Sequence, residues 1–201
     1  CQKLHDISLE EAESIGREAF WGCSRLVPGK AERLDQVGER AFEAAAGLSA
    51  ASPFLVIGSI LVSGRDCCGE ARLPDGITAI APFAFSGNRR ITKVILPEGV
   101  CNIGEGAFWG CGSLADVCAS SSCVIGKRAF EKCVSLKKIR LHTTKAEASA
   151  FAFCLSLEKA QLIGLKVLEQ RLFEGCSRLQ QCVCEQAGRI DPYCFSGCGE
   201  L

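Results

Sequence analysis

Residues 103–114 read Ile-Gly-Glu-Gly-Ala-Phe-Trp-Gly-Cys-Gly-Ser-Leu, and the spacing of this stretch recurs along the 201-residue chain. In each copy, Phe is followed three residues later by Cys, Ala or Asn, and six residues later by Leu or Ile. The gaps between phenylalanines are 21–23 residues, except for one gap of 43 that is close to two periods. One unit is therefore degenerate rather than absent. The phenylalanines are Phe20, Phe42, Phe85, Phe108, Phe130, Phe151, Phe173 and Phe195.

The segment that follows each copy has the spacing Leu-x-x-Leu-x-Leu, most clearly at Ile91-Val94-Leu96 and Leu136-Ile139-Leu141. This alternation predicts a short strand with one buried face. The part around Phe contains glycine and small residues, which predicts a turn and one helical turn that carries Phe inward. One such unit cannot bury its own apolar side, but stacked units can, with each strand parallel to the next and each Phe packed on the next Phe.

The cysteines follow the same period. The chain has 15 of them, an odd number, so at least one is unpaired. A position that also accepts Ala45 is a small buried slot, in which free Cys behaves as a small hydrophobe. Stacked neighbours would have Cβ atoms about 4.8 Å apart, longer than the ~3.8 Å of a disulfide, so we predict a ladder of reduced thiols. Cys1, Cys23, Cys111, Cys133, Cys154, Cys176 and Cys198 share the phase, and Ala45 and Asn88 replace Cys in two units.

The remaining cysteines, Cys67 and Cys68 among them, are placed outside this phase. Cys182 and Cys184 fall on strand core positions, and Cys194 replaces the Ala before Phe, so we predict that these three are core residues. Cys101, Cys118 and Cys123 are the candidates for a zinc site, but no His supports them and the chain has no Cys-x-x-Cys pair. We therefore predict no metal.

Residues 49–76 interrupt the repeat. Phe54-Leu55-Val56-Ile57 and Ile60-Leu61-Val62 flank Gly58-Ser59, which predicts two strands around a tight turn; an irregular loop is the alternative. We predict one solenoid domain over residues 1–201 that contains this hairpin unit. Because the chain starts and stops at the same phase of the repeat, we expect a segment of a longer array.

Composition and motifs limit the function. The 23 basic and 23 acidic residues cancel, which removes the general attraction that nucleic acid or acidic lipid would need. No run of about 18 apolar residues occurs, so we predict no membrane insertion in this segment. Only His5 and His142 exist, and no nucleophile, phosphate-loop or dinucleotide motif is present. We predict no enzyme activity, no catalytic residues and no cofactor.

The repeat resembles the BspA-like leucine-rich repeat family, in residues 103–114 and in the strand step Arg72-Leu73-Pro74-Asp75-Gly76-Ile77-Thr78-Ala79-Ile80. The resemblance covers nearly the whole chain. It implies an α/β fold class: a curved leucine-rich-repeat solenoid of about nine units of ~22 residues, with parallel strands on the concave face and short helical turns on the convex side. It also implies surface proteins of anaerobic bacteria and parasitic protists that bind host proteins or other cells.

The outward positions of stacked Leu-x-x-Leu-x-Leu segments form columns on one face, which repeat solenoids use for recognition. The middle of this face is basic, although long basic side chains on a surface are usually only a solvated face. The predicted binding residues are Lys93, Ile95, Asp116, Lys137, Lys138, Arg140, Lys159 and Gln161.

We predict a non-catalytic protein-recognition module of a cell-surface or secreted protein, whose partner is a host matrix or cell-surface protein. A structural spacer that only separates other domains is one alternative. An intracellular scaffold is another, since reduced thiols fit a reducing compartment.

Overall fold

The chain winds into a β-solenoid of about eight turns with parallel strands in the computed structural model, which describes residues 3–31, 33–34, 36–42 and 52–201. Part of one of the nine predicted units, together with Cys1 and Ala45 of the predicted cysteine ladder, lies outside the described residues. That the whole chain forms one domain stays a prediction.

The strands are short, as expected for segments that cross only one side of each turn of a solenoid. In chain order they are β1 (Asp6–Ile7), β2 (Ser14–Ile15), β3 (Val27–Pro28), β4 (Gln36–Val37), β5 (Leu55–Ile57), β6 (Ile60–Ser63), β7 (Gly69–Arg72), β8 (Ala79–Ile80), β9 (Ile91–Leu96), β10 (Asn102–Ile103), β11 (Asp116–Ala119), β12 (Val124–Ile125), β13 (Lys138–His142), β14 (Lys159–Ile163), β15 (Val167–Leu168), β16 (Gln181–Val183) and β17 (Arg189–Ile190).

The longer strands come from the Leu-x-x-Leu-x-Leu segments and pair in parallel with their neighbours one repeat away. β7, β9 and β11 form one three-stranded sheet, and β13, β14 and β16 form a second. The registers Val94↔Val117 and Ile139↔Ala160 place equivalent repeat positions side by side, so inward residues meet inward residues. We call the outward side of these six strands the strand face.

A second set of strands lies where each turn approaches its Phe. Ile103 of β10 pairs with Ile80 of β8 and Ile125 of β12, which stacks one buried aliphatic side chain per turn. The hairpin β5–β6 adds to this sheet: the two strands are antiparallel around Gly58-Ser59, and β6 pairs in parallel with β8.

The predicted helical turns are wrong, because no residue that the structure describes is helical. The N–H groups of Phe83, Phe85 and Gly87 donate sideways to carbonyls of the next turn of the solenoid, at N···O distances of 2.7–2.9 Å, whereas a helix would use those groups internally. Two backbone positions per unit, two residues before and two residues after Phe, have positive φ in most units. Left-handed residues at this spacing break any helix.

The phenylalanines form the predicted stack. From Phe85 to Phe195 each ring lies 4.8–5.7 Å, centroid to centroid, from the next, with interplanar angles of 5–15°. Phe20 and Phe42 form a separate stacked pair at 5.0 Å. The five rings from Phe85 to Phe173 have no exposed surface, so this stack is the centre of the core.

Gly64 occupies the repeat position of the missing phenylalanine. Its N–H donates to the carbonyl of Ala84 at 2.9 Å, as the Phe85 N–H donates to that of Ala107. A Cβ at Gly64 would lie 2.0 Å from Cε1 of Phe85, so the Phe85 ring fills the space that a side chain would need. Cys67, three residues later, is therefore in the cysteine phase, and the prediction that it lies outside that phase is wrong.

The phased thiols point at carbonyl oxygens rather than at each other. Cys111 Sγ donates to the carbonyl of Phe85 at 3.1 Å, one turn away, and the same bond recurs from Cys133, Cys154, Cys176 and Cys198 at 3.1–3.2 Å. Each thiol thus links its turn to the carbonyl of a stacked phenylalanine in the preceding turn, a role that spacing alone does not reveal. The 14 cysteines that the structure describes are free.

Burial keeps these thiols protonated. It raises the pKa of Cys111 to about 12, although the backbone N–H of Asn88 lowers it in part. Burial also raises the pKa of Cys133 well above its usual range, with a smaller contribution from Cys111. A protonated thiol is a hydrogen-bond donor and a poor nucleophile, so these cysteines have a packing role.

Replacing Gly126 by alanine should lower the free energy of unfolding by about 1–3 kcal/mol, because the added methyl would overpack two adjacent turns. Its Cβ would lie 2.8 Å from the backbone N of Glu105 and 2.9 Å from the carbonyl O of Ile103, and backbone atoms cannot rotate away. Urea unfolding measures the change. Gly112→Ala is the matched control, since its Cβ would meet only ordinary van der Waals neighbours, Val134 Cγ2 at 3.8 Å and the carbonyl O of Gly110 at 4.0 Å. Equal losses for the two variants would contradict this account.

Candidate functional site

The strand face carries two parallel columns of outward side chains. The register places Lys138, Lys159 and Gln181 side by side in one column, and Arg140, Gln161 and Val183 in the next. The outward positions are fixed by the inward ones: Ile139 and Ala160 are buried, and alternation along a strand turns their neighbours outward. The alternation of apolar and polar residues predicts such columns from the sequence, and the structure contains them.

In the first half of the column that contains Lys138, the side chains alternate in charge. Lys93 of β9 lies between Glu70 of β7 and Asp116 of β11, with its Nζ 3.8 Å and 3.7 Å from their carboxylate oxygens. Lys93 and Asp116 were predicted as binding residues, and the structure places them in this paired row rather than beside the other lysines. Ile95, two residues along β9, is half-buried in the neighbouring column.

Lys138, Arg140 and Lys159 form a group that we call the basic cluster. Lys138 and Lys159 are register partners on adjacent strands, and all three side chains are exposed. Within residues 3–31, 33–34, 36–42 and 52–201, none of the three has an ion-pair partner. Lys137 is exposed just before β13, and half-buried Gln161 lies beside Arg140 on β14.

The basic cluster borders a break in the sheet. Among the described residues, no backbone hydrogen bond joins β11 to β13, so each of these strands has an unpaired edge there. A groove of about 520 Å³ spans this break and continues over β14 and β16. The residues that line it include Asp116, Cys118, Ser120, Lys138, Arg140, Lys159, Gln161, Gln181 and Val183.

The titratable side chains that line the groove are one thiol, one carboxylate and the three cations of the basic cluster. The thiol, Cys118, donates to Asp116 Oδ2 at 3.6 Å. Partial burial and the negative charge of Asp116 raise the pKa of Cys118, which keeps it in the weakly nucleophilic thiol form. In the part of the chain that the structure describes, no group of three or more His, Cys, Asp or Glu side chains is arranged to hold a metal ion. Nor do the described residues include a helix that is long and apolar enough to cross a membrane.

Glu70 also lies on the strand face, although the repeat spacing did not predict it there. It lies in the irregular unit, and the register of β7 against β9 shifts between Gly69 and Glu70, which brings Glu70 opposite Lys93. A constant period cannot locate a residue next to a bulge. Charge alternation could have located Glu70, because it is an acid that pairs with Lys93 from the other side, as Asp116 does.

The repeat is similar to that of a known protein family. The model of the BspA type leucine-rich repeat region matches six copies, over residues 1–52, 63–180 and 121–201. Nothing among the curated proteins matched.

Solved structures of bacterial leucine-rich repeat proteins have a similar fold. The leucine-rich repeat protein of T. pallidum is 27% identical with a TM-score of 0.51, and the match covers 71% of this chain and 82% of that one. A leucine-rich repeat protein from Eubacterium ventriosum is 16% identical with a TM-score of 0.55, covering 96% and 76%. The pneumococcal vaccine antigen PcpA is 16% identical with a TM-score of 0.57; 94% of this chain matches 56% of that chain.

Proposed function

Since the chain belongs to the BspA-type leucine-rich repeat family, we propose that it is a non-catalytic protein-recognition module of a cell-surface or secreted protein, with the strand face as its concave binding surface. The observation that carries this proposal is the groove of about 520 Å³ over the outward columns. Proteins of this family generally act in protein interaction, and extended faces of repeat solenoids suit that role.

The proposed site comprises the predicted residues of the strand face, and the groove lies over the second half of them. Lys93, Ile95 and Lys137 lie outside the lining of the groove. The predicted residues that line it are Asp116, Lys138, Arg140, Lys159 and Gln161. The outward side chains project from paired strands with buried inward residues, so the backbone of this surface is pre-organised and loses little entropy on binding. The resemblance to surface proteins supports a host matrix or cell-surface protein as the partner.

Blocking the strand face without changing its charge tests the proposal. In Ile95→Trp with Gln161→Trp, two half-buried outward residues become bulky. We expect binding to a panel of immobilised host extracellular-matrix proteins, measured by biolayer interferometry, to fall by at least about tenfold for any partner that binds this face. The matched control is Ser24→Trp with Ser177→Trp, which alters two exposed residues outside the long strands.

Binding that is equally strong in both double variants would discard the strand face. If no matrix protein binds, and only removal of whole units alters the parent protein's behaviour, the spacer alternative is correct.

A further inference from the structure

We propose that the basic cluster binds an extended acidic segment of the partner polypeptide, with carboxylates at alternate residues. This inference rests on the proposed function and names the chemistry that the groove recognises. Its occupant is a peptide strand that lies along β13, with one carboxylate between Lys138 and Lys159 and a second beside Arg140.

The first argument is the unrelieved repulsion between two lysines. Lys138 and Lys159 are direct register partners, and like charges directly opposite on adjacent strands destabilise a sheet. The same column shows the alternative arrangement, because Lys93 lies between Glu70 and Asp116. The first half of the column already alternates positive and negative charges in the free protein. An anionic ligand between Lys138 and Lys159 would give the second half the same alternation in the complex.

The second argument is spacing. Lys138 and Arg140 are two residues apart on one strand, which separates them by about 6.6 Å, while Lys138 and Lys159 are about 4.8 Å apart across the ladder. A carboxylate can accept from both lysines across the shorter distance. A peptide in the extended conformation repeats its side chains on one face with the same ~6.6 Å period, so its next outward carboxylate reaches Arg140. Arg binds carboxylates through two parallel N–H groups.

The third argument concerns the polar backbone of such a peptide. The amide side chains of Gln161 and Gln181 line the groove. These amides can exchange hydrogen bonds with peptide N–H and C=O groups, which need partners once they leave water.

A nucleic acid or a sulfated polysaccharide fits less well. The chain has no net charge, and Asp116 lies in the groove beside the basic cluster. Glu158 is adjacent to Lys159 in sequence, in front of β14. A continuous row of phosphates or sulfates would meet these carboxylates, whereas two carboxylates on one short peptide need only the cationic part of the groove.

The probe is a synthetic nine-residue peptide of alternating Glu and Ser, titrated into the ¹⁵N-labelled chain and followed by NMR. We expect amide shifts confined to β11, β13, β14 and β16, and affinity that falls as salt rises. Neutralising the cluster with Lys138→Gln, Arg140→Gln and Lys159→Gln should weaken binding at least about tenfold, since each exposed pair is worth a few-fold. Lys138→Arg should retain binding. The matched control is Arg89→Gln, Lys127→Gln and Lys166→Gln, three exposed cations outside the long strands.

Absence of shifts on the groove strands, or binding that is equal in the two triple variants, would overturn the proposal. So would tighter binding of duplex DNA or heparin at the same strands. The two proposals can fail separately. If a protein partner binds the neutralised triple variant as well as the wild type but no longer binds the Trp double variant, the proposed function stands and the acidic segment is refuted. If the peptide binds but no protein partner responds to the Trp substitutions, the basic cluster binds acidic peptides and the proposed function is refuted.

Discussion

Phe130→Ala is expected to lower the free energy of unfolding by about 3–5 kcal/mol, as large-to-small changes at fully buried aromatic residues do. Phe130 has no exposed surface, and its ring stacks on Phe108 at 5.1 Å and on Phe151 at 5.4 Å. Its loss leaves a cavity between two turns and removes both ring contacts, each worth about 0.5–1.5 kcal/mol beyond burial. Urea unfolding followed by far-UV circular dichroism measures the change.

The control is Phe153→Ala, the same substitution two residues after Phe151, which is the next phenylalanine of the stack. The Phe153 side chain is 39% exposed, so we expect its loss to cost about 1 kcal/mol or less. Phe130→Leu should lie between the two, because it retains most of the apolar volume and loses the stacking. Similar costs for Phe130→Ala and Phe153→Ala would show that the phenylalanine stack is not the centre of stability. Because each turn contacts only its neighbours, hydrogen exchange should increase mainly in the turns that contain Phe108, Phe130 and Phe151.

The phenylalanine stack and the strands could be predicted because residues one repeat apart in sequence become neighbours in adjacent turns of a solenoid. Phe108 and Phe130 are 22 residues, or one turn, apart, and their rings therefore stack. The prediction of helical turns around Phe is wrong, since small residues and glycine allow several conformations there. The choice is made by the neighbouring turn, whose carbonyls accept the N–H groups of Phe83 and Phe85. Local sequence contains no information about those acceptors.

The candidate site follows the same division. The alternation around Ile139 and Leu141 places Lys138 and Arg140 outward, and this much is readable from one strand. The pairing of Lys93 with Glu70 depends on a bulge in the irregular unit, and the break between β11 and β13 depends on how two sheets meet. Neither is a property of the repeat. The sequence therefore predicts which residues face outward, and the structure determines which of them lack a counter-charge.

Asn88 is the second residue at which we expect a large effect, and the reason is its hydrogen bonding. It replaces Cys in the ladder, and its Nδ2 lies 3.0–3.2 Å from the carbonyl oxygens of Gly64, Arg65 and Cys67. Its Oδ1 accepts from the backbone N–H groups of Arg90 and Ile91. One buried side chain thus bonds the irregular unit, which has Gly64 in place of a stacked phenylalanine, to the next turn.

Asn88→Ala should lower the free energy of unfolding by about 3 kcal/mol or more, because several buried backbone groups would lose their partners at about 1–3 kcal/mol each. The matched control is Cys111→Ala at the next ladder position, where a fully buried side chain makes a single S–H···O bond to Phe85. There the expected cost is about 1 kcal/mol. Asn88→Cys restores the usual ladder residue and the bond to Gly64, but it removes the bonds that Asn88 makes to Arg65, Cys67, Arg90 and Ile91, so its cost should lie between the two.

Hydrogen exchange decides whether this effect arises where the structure places it. The amides of Gly64 and Cys67 should lose protection in Asn88→Ala, while that of Phe151, several turns away, should keep it, because turns contact only their neighbours. If Asn88→Cys were as stable as the wild type, a single bond to Gly64 would be sufficient, and the ladder position would need no asparagine beside the missing ring. If protection fell equally at Phe151, the solenoid would unfold as one cooperative unit, and Asn88 would not act on the irregular unit in particular.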